Sequence, residues 1–273
     1  MGRGAALGLA ACIAALFLTF AGAATPEREL RVCADPNNLP FSNARGEGFE
    51  NKIVELIAKD LGARITYTWW AQRRGFVRNT LQAQTCDLWP GVATDLEMLA
   101  TTQPYYRSSY VFVTRADQHL AIDSFDDPRL RELTIGVQMV GNDAMNTPPA
   151  HALARRGITQ NVRGYMLYGD YTQPNPPAAI VRAVAHGDID VAIVWGPLAG
   201  YFAARQPVAL AVTPLRVASD GDAGQMQFDI SIGVRKDDGD ERAEMDRELL
   251  KNRVAVDAIL ARYRVPRVPP PAP

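Results

Sequence analysis

An α/β fold built on a parallel sheet is what this sequence predicts, and three observations predict it. The stretch Arg31 to Trp70 reads as strand, loop, amphipathic helix and strand, which is a βαβ unit. The same alternation recurs through most of the chain. A composition of 47% apolar and 22% charged residues in 273 gives enough apolar surface for a full core. The formal charge of −1 gives no electrostatic case for nucleic acid or an anionic membrane.

The chain opens with Arg3, an apolar run from Ala5 to Phe20 and the small residues Ala21 to Ala24, so residues 1–24 read as a secretory signal peptide. Cleavage after Ala23 or Ala24 would release the protein, whereas Leu9-Ala10-Ala11-Cys12 resembles a lipoprotein box that would anchor it. The apolar core continues past Cys12, which favours release. No later stretch approaches the ~18 apolar residues of a membrane span.

The first strand, Leu30 to Ala34, leads into a polar, proline-broken loop carrying Asp35, Asn37, Asn38 and Phe41. Ligands of open parallel sheets sit outside the carboxyl ends of strands, so this loop is a candidate site. Phe49, Ile53, Leu56, Ile57 and Leu61 recur at helical spacing and Gly62 supplies the C-cap; Ile65 to Trp69 is the next strand. An apolar run follows from Leu88 to Val92. The exported chain keeps Cys33 and Cys86, an even pair. Either they form a disulfide, helped by a sheet order 2-1-3 that would make their strands neighbours, or they are two buried thiols.

Further along, Leu133 to Val137 is strand-like, and a helix follows from Thr147, with Pro148 at its first position and Gly157 after its last turn. Val162 to Leu167 is a strand; Asn175 caps a helix through His186, stopped by Gly187; Ile189 to Val194 is a buried strand. Phe228, Ile230, Ile232 and Val234 alternate with Asp229, Ser231 and Gly233, the period of a half-exposed strand. Helices over Asp240 to Leu250 and Val254 to Tyr263 close the fold. The tail, 266–273, is proline-rich and reads as extended or disordered.

The strand ending in Asp35, then Pro40-Phe41, then Gly48-Phe49-Glu50, resembles the start of a type II periplasmic solute-binding protein. Thr101 to Tyr106, Leu133 to Gln138 and Gly187 to Val194 resemble later pieces of that family. The resemblance implies two α/β lobes with a central cleft: lobe one from 25–117 plus 216–265, lobe two from 118–215. Arg31 to Ser42, Trp69 to Phe76 with Arg78 to Leu81, and Pro104 to Val113 resemble the MxaJ/XoxJ branch of methanol oxidation systems. That resemblance implies a monomeric periplasmic accessory protein assisting a PQQ-dependent methanol dehydrogenase, with its cytochrome c as a possible further partner. PQQ would belong to the partner enzyme, and this chain would hold no firmly bound cofactor.

Amino-acid-binding relatives hold the substrate carboxylate with an arginine three residues after a threonine. Here Thr94 is followed at that spacing by Glu97, and neither Leu96 nor Met98 would restore the pair. The aspartate that takes the ammonium, five residues after the Asp190 position, is replaced by Trp195. An α-amino acid would have both charges desolvated without partners, at several kcal/mol. Aromatic residues stand in place of the clamp. Trp69, Trp70, Trp89 and Trp195, with Phe41, Tyr105, Tyr106 and Tyr168, are candidates to line the cleft, each set against an ordinary role in packing. Arg73 and Arg74 fit beside Trp70 or form a solvated helix start. Such a cleft suits an apolar or planar ligand, or an aromatic side chain of a partner.

Gly136 to Asp143, with Gln138 and Asn142, resembles the family's anion loop, although Asp143 would repel an anion. His119, His151 and His186 have no metal-ligand spacing, and no HExxH, GxSxG or P-loop occurs, so neither a metal site nor catalysis is expected. The alternative function is a solute-binding protein of an ABC transporter for a ligand other than an amino acid, and a lyase on the same scaffold is a third.

Overall fold

The computed structural model describes Met1 and residues 28–140, 146–167, 170–216, 220–221 and 224–269. The expected signal peptide (Met1 aside), Asn142, Asp143 and Tyr168 lie outside the described residues. Strand β1 (Glu29–Ala34) is followed by two short strands, β2 (Asn37–Asn38) and β3 (Ser42–Asn43), which pair with each other; then helix α1 (Phe49–Leu61) and β4 (Arg64–Trp69) complete the βαβ unit. The apolar stripe of α1 buries Phe49, Ile53, Val54 and Ile57, and Gly62 ends the helix in the left-handed conformation at φ 61°. A short helix α2 (Phe76–Asn79), β5 (Leu88–Ala93), β6 (Ala100–Thr101) and the ten-residue β7 (Tyr106–Arg115) follow.

The middle of the chain forms β8 (Ile135–Met139), α3 (Pro148–Arg155), β9 (Val162–Met166), α4 (Ala179–His186), β10 (Val191–Trp195), α5 (Gly196–Ala203) and β11 (Leu210–Pro214). The last elements are β12 (Gln227–Val234), α6 (Gly239–Lys251) and α7 (Arg253–Arg262). Strand order is β4-β1-β5-β12-β7-β10-β8-β9, with β6 on β12 and β11 on β7. The parallel trio β4-β1-β5 is the 2-1-3 order expected from the sequence.

Strand β7 is shared. Its first residues, Tyr106 to Ser109, pair antiparallel with β12, and its remainder, from Tyr110 onward, pairs antiparallel with β10 and β11. One long strand therefore joins two sheets, each covered by helices, and gives the fold of a type II periplasmic binding protein with two lobes and a cleft between them.

Strand β12 is not half-exposed. Its last five residues, Ile230 to Val234, are all buried. It runs through the middle of the sheet between β5 and β7, and the alternating small residues admit close neighbours: a Cβ on Gly233 would lie 2.9 Å from both Leu99 and Val92. Three further expectations shift. Thr147 precedes α3, but its hydroxyl donates to the Gln138 carbonyl at 2.6 Å and makes no cap bond. A 3₁₀ turn over Pro176–Ala178 comes between Asn175 and α4, and Asn175 makes no side-chain cap bond. The start of the tail is docked: Ser108 Oγ donates to the Pro266 carbonyl at 2.6 Å, and the Val268 amide donates to the Arg107 carbonyl at 3.1 Å. No helix among the described residues is long and apolar enough to cross a membrane.

Cys33 and Cys86 form a disulfide with a Cα separation of 5.4 Å. Both are fully buried, in a small cluster with Phe76, Val77, Leu81, Val92 and Leu99. The open choice between bridge and thiols is thus resolved by β1 lying next to β5.

Candidate binding cleft

The carboxyl ends of β1, β8 and β10 meet the start of α1 and the middle of β7 around a cavity of about 230 Å³. Four rings wall it, namely Phe41, Tyr106, Tyr110 and Trp195, with Leu167, Leu198 and Ile230 adding apolar surface. Trp195 sits edge-on to Tyr110 at 5.5 Å and to Phe228 at 5.8 Å. Its backbone N–H donates to Gln138 Oε1 at 3.0 Å, which ties the ends of β8 and β10 together. Burial pushes the phenols of Tyr106 and Tyr110 upward, so they remain neutral.

Asp35 is fully buried at the cavity edge. Its Oδ1 accepts from the Asn37 amide at 2.8 Å; its Oδ2 accepts from the Gln72 amide at 2.7 Å and from the Tyr171 hydroxyl. Burial pushes its carboxyl up, against the opposing effect of the Tyr171, Gln72 and Asn37 bonds. Asn37 reaches the same segment of the other lobe: its Nδ2 donates to the Gln173 carbonyl at 2.9 Å, and the Asn175 amide donates to its Oδ1 at 3.2 Å. These bonds span the cleft and hold the two lobes together over the cavity.

The second carboxyl is Glu50, in the first turn of α1 and only 3% exposed. It fits a notch left by Gly91 of β5, where an added Cβ would lie 1.8 Å from Glu50 Oε1. Burial first, and the nearby Asp35 charge second, push its carboxyl up to about 8. Among the described residues the cavity lining contains no lysine, arginine or histidine.

Of the residues singled out in the sequence, Asp35, Asn38, Phe41, Tyr106, Gln138 and Trp195 come together at the cavity, and Asn37 bridges the lobes beside it. The others are placed elsewhere. Trp69 stacks on Tyr67 at 4.4 Å, and Trp70 is 39% exposed. Trp89 lies against Phe76 at 4.7 Å, in the cluster around the disulfide. Tyr105 donates its hydroxyl to the Pro90 carbonyl at 2.8 Å and borders a separate groove with Asp246 and Arg247. Thr94 Oγ1 and Ser231 Oγ share a hydrogen bond of 2.6 Å, while Glu97, Arg73 and Arg74 are exposed. Glu50, Gln72, Tyr110 and Tyr171 were not singled out for the cleft. For Glu50 the only sequence signal was its place in Gly48-Phe49-Glu50, where an acid in a first helical turn is ordinary.

A bulge explains the position of Trp89. Trp89 is opposite Gly233 and Val92 is opposite Ser231, so three steps on β5 match two on β12. The extra residue reverses the facing of the strand. Trp89 and Val92 consequently fall in the disulfide cluster, while Leu88 packs in the main core and Gly91 meets Glu50.

No protein-family model matches the chain. Among individual proteins, it is 36% identical over 262 residues to the protein MoxJ of Methylorubrum extorquens, covering 91% of this chain and 85% of the relative. Among solved structures, the periplasmic binding protein XoxJ from Methylobacterium extorquens AM1 matches with a TM-score of 0.72 and 35% identity, covering 88% of this chain and all of that one (100%). MxaJ from Methlophaga aminisulfidivorans matches with a TM-score of 0.73 and 25% identity, again over 88% of this chain and 100% of that one. With identity above 30% carried along nearly the whole of a relative, and the same two-lobed fold around the cleft, the chain belongs to the MxaJ/XoxJ family.

Proposed function

We propose that this protein is a periplasmic accessory protein that assists maturation or activation of a PQQ-dependent methanol dehydrogenase and catalyses no reaction itself. The observation that carries the reading is the likeness to MoxJ over nine tenths of the chain, at 91% coverage. The site chemistry supports it. The positions that would clamp an amino acid hold an internally bonded Thr94, an exposed Glu97 and the cavity wall of Trp195. Export through residues 1–24, a monomeric state, and a PQQ group residing in the partner belong to the same reading.

A second reading is favoured by one feature: the bonds from Asn37 and Asp35 to the segment Tyr171–Asn175 close the lobes over a cavity, as in a transporter's solute-binding protein. The test is the specific activity and PQQ content of the dehydrogenase purified from cells with and without this protein. Low activity and incomplete cofactor occupancy without it are the expected outcome; equal values in both would leave the transport reading in its place.

A further inference from the structure

Among the described residues, Glu50 is the cavity-lining acid that no donor reaches. Asp35 already accepts three hydrogen bonds, from Asn37, Gln72 and Tyr171, whereas the Glu50 side chain receives none from the described residues. A buried carboxyl left without a partner costs free energy that a ligand carrying donors would recover. Glu50 lines the cavity together with Gly91, against which its carboxyl lies, and with Tyr106, Tyr110 and Trp195.

The chemistry narrows the occupant. An anion would meet the Asp35 carboxyl and, among the described lining residues, no basic side chain. A calcium-like ion requires six to eight oxygen ligands, and a wall made largely of rings and aliphatic groups does not supply them. A purely apolar molecule would leave Glu50 as it is. A cavity of about 230 Å³ corresponds to roughly eight waters at ~30 Å³ each, and so to a molecule of about that many non-hydrogen atoms. Aromatic faces attract a desolvated cation, and an ammonium placed beside Glu50 favours its ionised form against the upward push of burial, so that both carboxyls can accept its N–H groups.

We infer that the cavity takes a small organic amine, its ammonium group against Glu50 and Asp35, its compact apolar body against Tyr106, Tyr110 and Trp195, and no carboxylate of its own. This names the ligand class of the cleft and rests on the cleft being the recognition site of the proposed function.

The experiment compares benzylamine, benzyl alcohol and benzoate on the whole mature protein, by calorimetry and by tryptophan fluorescence, with Trp195 as reporter. Saturable benzylamine binding is expected, tenfold or more tighter than benzyl alcohol, with no signal from benzoate. Glu50→Gln should abolish the preference for the amine over the alcohol. If that variant does not fold, the three-ligand comparison on the unaltered protein decides. Binding of alcohol or benzoate as tight as the amine, or no saturable benzylamine binding at millimolar concentration, overturns the inference. Amine binding with no effect on the dehydrogenase removes only the accessory role; a dehydrogenase effect without amine binding removes only this inference.

Discussion

Glu50 carries a titration that is visible in stability. Its carboxyl rises from about 4.5 in the open chain to about 8 in the fold, mainly through burial. Below the lower value both states are protonated and this group has no effect. Between the two values the unfolded chain releases the proton while the folded one keeps it, so stability falls as pH rises, and the fall ends near the upper value. At roughly 1.4 kcal/mol per unit, the loss across the window is on the order of a few kcal/mol. Urea unfolding of the mature protein from acid to mildly alkaline pH should show this slope, and Glu50→Gln should flatten it. An unchanged slope in the variant would assign the effect to other groups. Nothing near Glu50 in the sequence announces this behaviour, because its depth is set by Gly91, a residue on a different strand with no side chain to fill the space. Asp35 was easier to find, since any residue closing the first strand of a parallel sheet lies at the ligand edge.

Helices and strands with one period and one buried side were legible; features that arise from pairing were not. Helix α1 could be read from Phe49 to Gly62 because stripe and C-cap agree. The inner face of β12 could not, since Ser231 and Gly233 look solvent-facing until Val92 and Leu99 are packed on them. The bulge in β5 is equally silent, and it takes Trp89 out of the expected cleft. The disulfide belongs at this level too. It fastens β1 to the turn before β5 and closes a loop of 53 residues. A cross-link of that reach contributes about 2 to 4 kcal/mol, largely by restricting the unfolded chain. Alkylation without reductant should find neither thiol in the folded protein, and reductant should lower the unfolding midpoint; two alkylated cysteines in native, freshly exported protein would contradict the bridge.

Across the whole molecule, two lobes closed over a cavity whose described lining has two acids and no base should reject ordinary α-amino acids, whose carboxylate would have no partner among those residues. A panel of L-amino acids should give no saturable calorimetric signal at millimolar concentration, and a micromolar constant for any of them would overturn that account of the site. The two-lobed plan was readable because its segments follow one another in family order. How the lobes touch, through Asn37, Tyr171 and Asn175, was not, since those contacts join loops far apart in the chain. The central place of β12 also sets a timetable for biogenesis. Strands β1, β4 and β5 are made early, yet the sheet they begin has no middle strand until residue 234 has been made. Meanwhile every strand of the second sheet is already complete by Pro214. The lobe that starts first therefore finishes last, and throughout the interval β5 presents an open edge on which a wrong neighbour could add.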